Sequence, residues 1–260
     1  AAYFVFLPLY RGSMFTNVEY LEYRFGPTAR LLSAFIQIQS RTNVLGNIAF
    51  SLYLTFSLLT NWGNSSWWIV VMISMAAAIY TATGGLKSVA VTDALQSIVM
   101  LMASATLWWV LWSAVGGWTG LENRFQQIDP QLVDTMLHVG RQEPGVPAPL
   151  IIFGWVIVLA AYCIVNHSQA MRLLAARSEW DLKTAALAAS VVTAVVMWFN
   201  ITLGILGRAV LPELSVSDEI YPRLVQEYLT PGLVGLVVAG VLAGGISTYD
   251  SIGSSLAAVF

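Results

Sequence analysis

Ser247, Thr248, Asp250, Ser251, Ser254 and Ser255 crowd into the second half of Gly235–Phe260, a stretch that is otherwise apolar. An ionisable group in such a stretch is costly, so it faces a cavity or a partner and marks an ion or substrate path. Ser247 and Ser251 are four residues apart and share one helix face. Their hydroxyls, a carboxylate and backbone carbonyls form the oxygen set that suits a hard cation such as sodium. The competing reading is local: Ser and Thr in apolar helices bond back to the carbonyl one turn earlier and ligate nothing. Ala239, Gly240, Ala243, Gly244 and Gly245 are small enough to let a neighbouring backbone come close.

Two further groups of polar residues sit in apolar segments. Asp93 and Gln96 lie near the start of Ala90–Val115. Asp93 either caps its helix at the membrane edge or builds a site with Ser247, Thr248 and Ser251. Gln37, Gln39, Ser40, Arg41, Thr42, Asn43 and Asn47 fill the middle of Leu31–Thr60. Arg41 is open to two roles, a buried ion pair with Asp250 or a contact to an anionic substrate. His167 reads as a satisfied interfacial histidine. No nucleophile–base pair or cluster of metal ligands is visible, and polar residues scattered over several helices fit a binding cavity better than an enzyme.

These residues need elements that cross a bilayer. The chain has 260 residues, 57% hydrophobic and 10% charged, with a mean hydropathy of +0.71. Soluble domains carry about 25% charged residues, so this is an all-α integral membrane protein set in lipid. A net charge of −2 argues against a nucleic-acid partner, and the single Cys163 excludes an intrachain disulfide. AAYFVFLPLY at the start is too short to span, since crossing takes about 20 residues. The final run is apolar to its last residue. Both ends read as cuts within transmembrane helices.

Full spans are expected over Leu31–Thr60, Trp67–Thr83, Ala90–Val115, Leu150–Met171 and Ala185–Leu206, with a final helix from about Pro231. The expectation is one transmembrane domain over 1–260, with about five full spans and a fragment at the start. Thr16 and Glu19 have the spacing of a capping box, and Gly84-Gly85 marks a break. Trp62, Trp67 and Trp68 fit an interfacial belt. Arg11, Arg24, Arg30, Lys87, Arg172, Arg177 and Lys183 fall on one face, and Arg124, Arg141, Arg208 and Arg223 fall in acid-rich loops, such as the one carrying Glu143, on the other. The positive-inside rule places the first face in the cytoplasm. The final helix then runs inward, with Ser247 about 24 Å deep at 1.5 Å per residue, at the level where the outward-running helix of Asp93 begins.

Four segments, in order along nearly the whole chain, carry a family resemblance: NVEYLEYRFG (Asn17–Gly26), GGLKSVAVTDALQ (Gly84–Gln96), RLLAARSEWDLKTA (Arg172–Ala185) and GGISTYDSIGSS (Gly244–Ser255). Together they resemble the sodium/solute symporter family. The resemblance implies a leucine-transporter-type core of inverted repeats, truncated at both ends, with alternating access around a midplane site. It implies that Ser247 and Thr248, with the carbonyl of Gly244, hold the main sodium ion, and that Asp93 and Ser251 form a second sodium site. Tyr162 falls on the inner aromatic gate, with Asn166 one turn inward. A small polar solute is expected beside Gln37, Gln39, Asn43, Tyr162 and Asn166. Sugar-transporting members place a lysine in core helix seven and a tryptophan beside the gate tyrosine; Cys163 follows Tyr162 here, so a sugar is not the expected solute. The expected setting is the cell membrane, the inner membrane if the source is bacterial. The alternative is a symporter-like membrane sensor domain of a signalling protein.

Overall fold

The computed structural model describes residues 2–14, 16–137 and 146–258, and the side chains of all of these except Ala2, Leu86, Lys87 and Thr135. Arg141 and Glu143 of the polar loop, and the Lys87 side chain, lie outside the described residues. Among the described residues there is helix and no strand.

A π-helical turn, Ala2–Phe6, leads into α1 (Leu7–Arg11). The helices that follow are α2 (Asn17–Phe25), α3 (Pro27–Thr60), α4 (Trp67–Val115), α5 (Gly117–Ile128), α6 (Gln131–Met136), α7 (Ala148–Val165), α8 (His167–Leu174), α9 (Glu179–Val210), α10 (Ile220–Tyr228) and α11 (Pro231–Ala257). Among the described residues six segments are long and apolar enough to cross a membrane: Pro27–Thr60, Gly63–Gly85, Ser88–Val115, Ala148–Val165, Glu179–Val210 and Pro231–Ala257.

The local signals act where their chemistry requires. Thr16 accepts from the Glu19 backbone N–H at 3.0 Å and the Glu19 carboxylate accepts from the Thr16 N–H at 3.2 Å, which closes the capping box of α2. Gly85 has φ +63° and ψ −177°. That conformation is open to glycine and rare for any other residue, and it divides α4 into two limbs. Across the kink the Tyr80 hydroxyl donates to the Ser88 carbonyl at 3.0 Å and also meets the Thr92 hydroxyl.

The fourth span departs from the expected continuous Leu150–Met171. It is interrupted at Asn166 (φ −71°, ψ 98°), so α7 ends and α8 starts anew. Asn166 with Gln169 three positions on is itself an N-cap pattern, embedded in an apolar run.

Three apolar cores hold the bundle. Leu107, Leu111, Leu121, Phe125, Leu206 and Val237 belong to the core at one end, where α4, α5, α9, α10 and α11 meet. Phe6, Leu9, Ala170, Leu174 and Leu182 form the core of the other end. Between them Leu52, Phe56, Val70 and Ile73 pack against Val238, Leu242 and Ile246 of α11. The tryptophans are more than a belt: Trp108 stacks on Trp112 with centroids 5.2 Å apart and meets Trp198 at 4.9 Å, while Trp62 and Trp68 are exposed.

The small residues of α11 do what their size predicts at Gly240. A Cβ there would lie 2.6 Å from the Ala103 Cβ and 3.7 Å from the Met100 Cα of α4. Gly235 has nothing within 4 Å of such a Cβ. Gly240→Val should therefore cost about 1–3 kcal/mol through overpacking, while Gly235→Ala should be neutral or slightly stabilising. Thermal unfolding of the two variants of the full-length protein checks this; equal midpoints would mean that α11 does not pack on α4 in this register.

Candidate functional site

The kink in α4 and the packing of α11 bring together side chains from three helices. The Ser247 hydroxyl of α11 donates to Asp93 Oδ1 of α4 at 2.5 Å. Arg172, near the end of α8, donates to Asp93 Oδ2 and, at 2.6 Å, to Ser251 Oγ. The Asp93 side chain is 12% exposed and that of Arg172 37%. The Ser168 hydroxyl, one turn before Arg172, donates to the Ser251 carbonyl at 3.2 Å. Asp93 is thus an ion-paired acceptor well inside its limb, which begins at Ser88, and the helix-cap reading does not hold.

The other polar groups of α11 bond locally. Thr248 Oγ1 donates to the Gly244 carbonyl at 2.8 Å, and Ser251 Oγ to the Ser247 carbonyl at 2.6 Å. Both are the i−4 back-bonds that compete with ligation. A small cavity lies beside them, lined by Val89, Ser168, Arg172, Ser251, Ser254 and Ser255.

Asp250, fully buried, accepts from Thr81 Oγ1 at 2.6 Å. Arg41 instead donates from Nη2 to Asn166 Oδ1 at 3.1 Å. The Arg41–Asp250 pair considered from the sequence is therefore not formed. α11 is held from both sides: Thr81 of the first limb of α4 reaches Asp250, and Asp93 of the second limb reaches Ser247.

The second polar region surrounds the interruption of the fourth span. Breaking a helix frees carbonyls, and in an apolar medium each must be satisfied. Gln37 Nε2 donates to the Val165 carbonyl at 3.1 Å and Asn17 Nδ2 to the Ile164 carbonyl at 2.6 Å. Asn166 Oδ1 caps α8, accepting from the Gln169 N–H at 3.5 Å. His167 is buried, and neither ring nitrogen has a partner; the expected satisfied interfacial histidine is replaced by an unsatisfied internal one.

The structure therefore brings Gln37, Arg41 and Asn166 together. Tyr162 lies one turn before Asn166, its carbonyl accepting from the Asn166 N–H at 2.9 Å, with its residue surface 53% exposed. Gln39 and Asn43 point elsewhere: they are exposed and bonded to each other at 3.4 Å, since two residues turn a helix by about 200°. Sequence reasoning missed Arg172 and Thr81 as partners. Arg172 looked like part of a basic turn, and the available signal was only its four-residue spacing from Ser168 on a shared helix face.

This arrangement can be set beside known proteins. A family model described as the sodium:solute symporter family matches residues 2–260. The chain belongs to the sodium:solute symporter family. Pig sodium/myo-inositol cotransporter 2 is 30% identical over 98% of the chain, and human sodium/glucose cotransporter 4 is 27% identical over 98%. The chain spans 42% of the length of each of these relatives. A solved structure of a Na+-coupled sialic acid symporter, substrate-bound and outward-open, matches all of the chain and 55% of its own length, with a TM-score of 0.78 and 20% identity. The shared fold is the leucine-transporter-type helical core. Its helices are those of a multi-pass membrane protein.

The Asp93–Arg172 contact yields a prediction. Removing one member of a partly buried pair strands the other charge. Asp93→Asn should lower stability by about 1–3 kcal/mol, and adding Arg172→Gln should restore part of that loss. A double-mutant cycle on thermal unfolding of the full-length protein measures it; strictly additive losses would mean that the two groups do not interact.

Proposed function

We propose that the chain forms part of the core of a sodium-coupled symporter that moves a small polar solute into the cell by alternating access. The observation that carries this reading is the convergence of Asp93, Ser247 and Ser251 from two apolar helices, a carboxylate and two hydroxyls at one depth. Oxygen donors of this kind match a hard monovalent cation, and sodium is the coupling ion of the family.

In this reading sodium is cargo. Ser247 and Thr248, with the Gly244 carbonyl, take the main sodium ion, and Asp93 with Ser251 takes a second one. The back-bonds of Thr248 and Ser251 exchange for the ion at little cost, because each hydroxyl can rotate. Arg172 now holds the positive charge beside Asp93, so a second sodium ion must displace it. The solute binds beside Tyr162, Asn166 and Gln37, where the fourth span is interrupted. Gln39 and Asn43, facing away from Asn166, contribute less than the sequence suggested. Transport couples to sodium through its differential affinity for the two states, the only means by which a ligand shifts such an equilibrium.

The relatives named above are cotransporters of myo-inositol and glucose, which supports symport of a small hydrophilic molecule. Ser247→Ala with Thr248→Ala should raise the sodium concentration for half-maximal uptake by about tenfold or more, equivalent to roughly 1.4 kcal/mol of lost binding. Sodium titration of uptake by the full-length protein in proteoliposomes is the measurement. An unchanged sodium dependence would remove these two residues from the ion path.

A further inference from the structure

Arg172 is the sixth residue of α8 and reaches across to two other helices. One nitrogen, Nη2, donates both to Asp93 Oδ2 of α4 and, at 2.6 Å, to Ser251 Oγ of α11. Those two side chains are the ones assigned above to a second sodium ion. A single positively charged group thus bridges carboxylate and hydroxyl, as a bound cation would. The Ser168 hydroxyl, one turn earlier on the same face of α8, donates to the Ser251 carbonyl at 3.2 Å and holds the rotation that aims Arg172 there.

The two partners differ in their access to water. The Asp93 side chain is 12% exposed and that of Arg172 37%. Leaving the carboxylate alone in an apolar setting is costly. Releasing the guanidinium costs less, because it is already partly solvated and its long stem lets the head stay in water. The cavity that it lines with Ser168, Ser254 and Ser255 also offers hydroxyl acceptors. Asp93 therefore requires a cation beside it, and Arg172 is a partner able to leave. Asp250 does not enter this exchange: it takes the Thr81 hydroxyl, and no cation meets it among the described residues.

A symporter has one step that no cargo assists. Once ion and solute have left, the empty carrier must return, and a bare Asp93 carboxylate would then carry an uncompensated charge through the change of state. We propose that Arg172 is the internal counter-cation of the empty carrier, replacing the second sodium ion at Asp93 and Ser251 after that ion departs. The inference rests on the symport reading above. It has two consequences. Arg172 permits the return step, and it competes with the second sodium ion for the same oxygens.

Sodium alone is the first probe. Purified full-length protein is titrated with sodium chloride against choline chloride at constant ionic strength, and thermal stabilisation is read. With the competitor removed, Arg172→Gln should reach half-maximal stabilisation at about tenfold lower sodium, as expected when the binding-competent fraction rises from about a tenth to nearly all. Adding Asp93→Asn should abolish that gain. An unchanged or weaker sodium dependence overturns the proposal. The second readout is transport in proteoliposomes of whichever of labelled myo-inositol, glucose, proline or pantothenate the unmodified protein accumulates. Net sodium-driven uptake needs the empty carrier to return. Exchange of labelled for unlabelled solute, with sodium on both sides, does not. The ratio of net uptake to exchange should fall at least tenfold in Arg172→Gln and recover in part in Arg172→Lys. A merely structural role lowers both rates together, so an unchanged ratio overturns the counter-cation. A tenfold gain in sodium affinity in a protein that accumulates none of the solutes upholds the competition at Asp93 and overturns symport. Sodium-driven accumulation without that gain does the reverse. If Arg172→Gln fails to fold, Arg172→Lys decides: a lysine lacks the guanidinium fork, so its sodium dependence and its ratio should shift in the same directions by a smaller factor, and no shift in either overturns the proposal.

Discussion

In an apolar medium no backbone carbonyl or N–H can be left to water, and this constraint governs the interrupted fourth span. Between α7 and α8 the helix ladder stops, and the groups it releases are taken up by Gln37, Asn17 and the Asn166 side chain. Each of those partners is polar because the break exists, and the break is tolerated because they are there. The polar middle of α3, which looks misplaced in a membrane helix, is partly explained by this exchange. Gln37 and Arg41 face the break, one helical turn apart.

Charge is handled by the same logic at Asp93 and only in part at Asp250 and Arg41. Asp93 is matched by Arg172, whereas Asp250 accepts a hydroxyl from Thr81 at Oδ1 and its buried Oδ2 has no partner among the described residues. At the end of the bundle where the basic residues collect, Arg11 holds Glu179 in a two-point contact at 2.7 and 2.9 Å. That last pair is solvated and contributes little to stability, whereas the Asp93 and Asp250 contacts fix α11 between the two limbs of α4. The kink at Gly85 is what lets one continuous segment present both limbs to the same helix.

The two polar regions share α8. Its first residue, His167, adjoins the Arg41 cluster, and its sixth, Arg172, reaches Asp93 and Ser251. Eight residues of helix span about 12 Å, so the two regions lie at opposite ends of one short element. On the symport reading this gives a physical connection between solute and ion: a shift of α8 at one end changes the contact at the other. Coupling of that kind needs an element with two arrangements that both ligands bias.

The amino-acid sequence alone determined the class, all the spans but the broken fourth, and the common level of Asp93 and Ser247. Hydropathy and the near absence of charge leave a membrane bundle as the way to bury this chain, and counting residues inward from Pro231 set Ser247 level with Asp93, where the structure joins them at 2.5 Å. Capping at Thr16 and the break at Gly84-Gly85 were also legible, because both are short-range effects of backbone chemistry. Tertiary structure decided what depended on which faces meet. Arg172 left its apparent role in a basic turn to pair with Asp93, and Asp250 chose Thr81 over Arg41. Gln39 and Asn43 turned away from the region that Gln37 enters. A linear sequence gives the rotation of a residue around its own helix, but not the angle and register at which two helices pack, and it is that packing which settles the partner of each buried polar group.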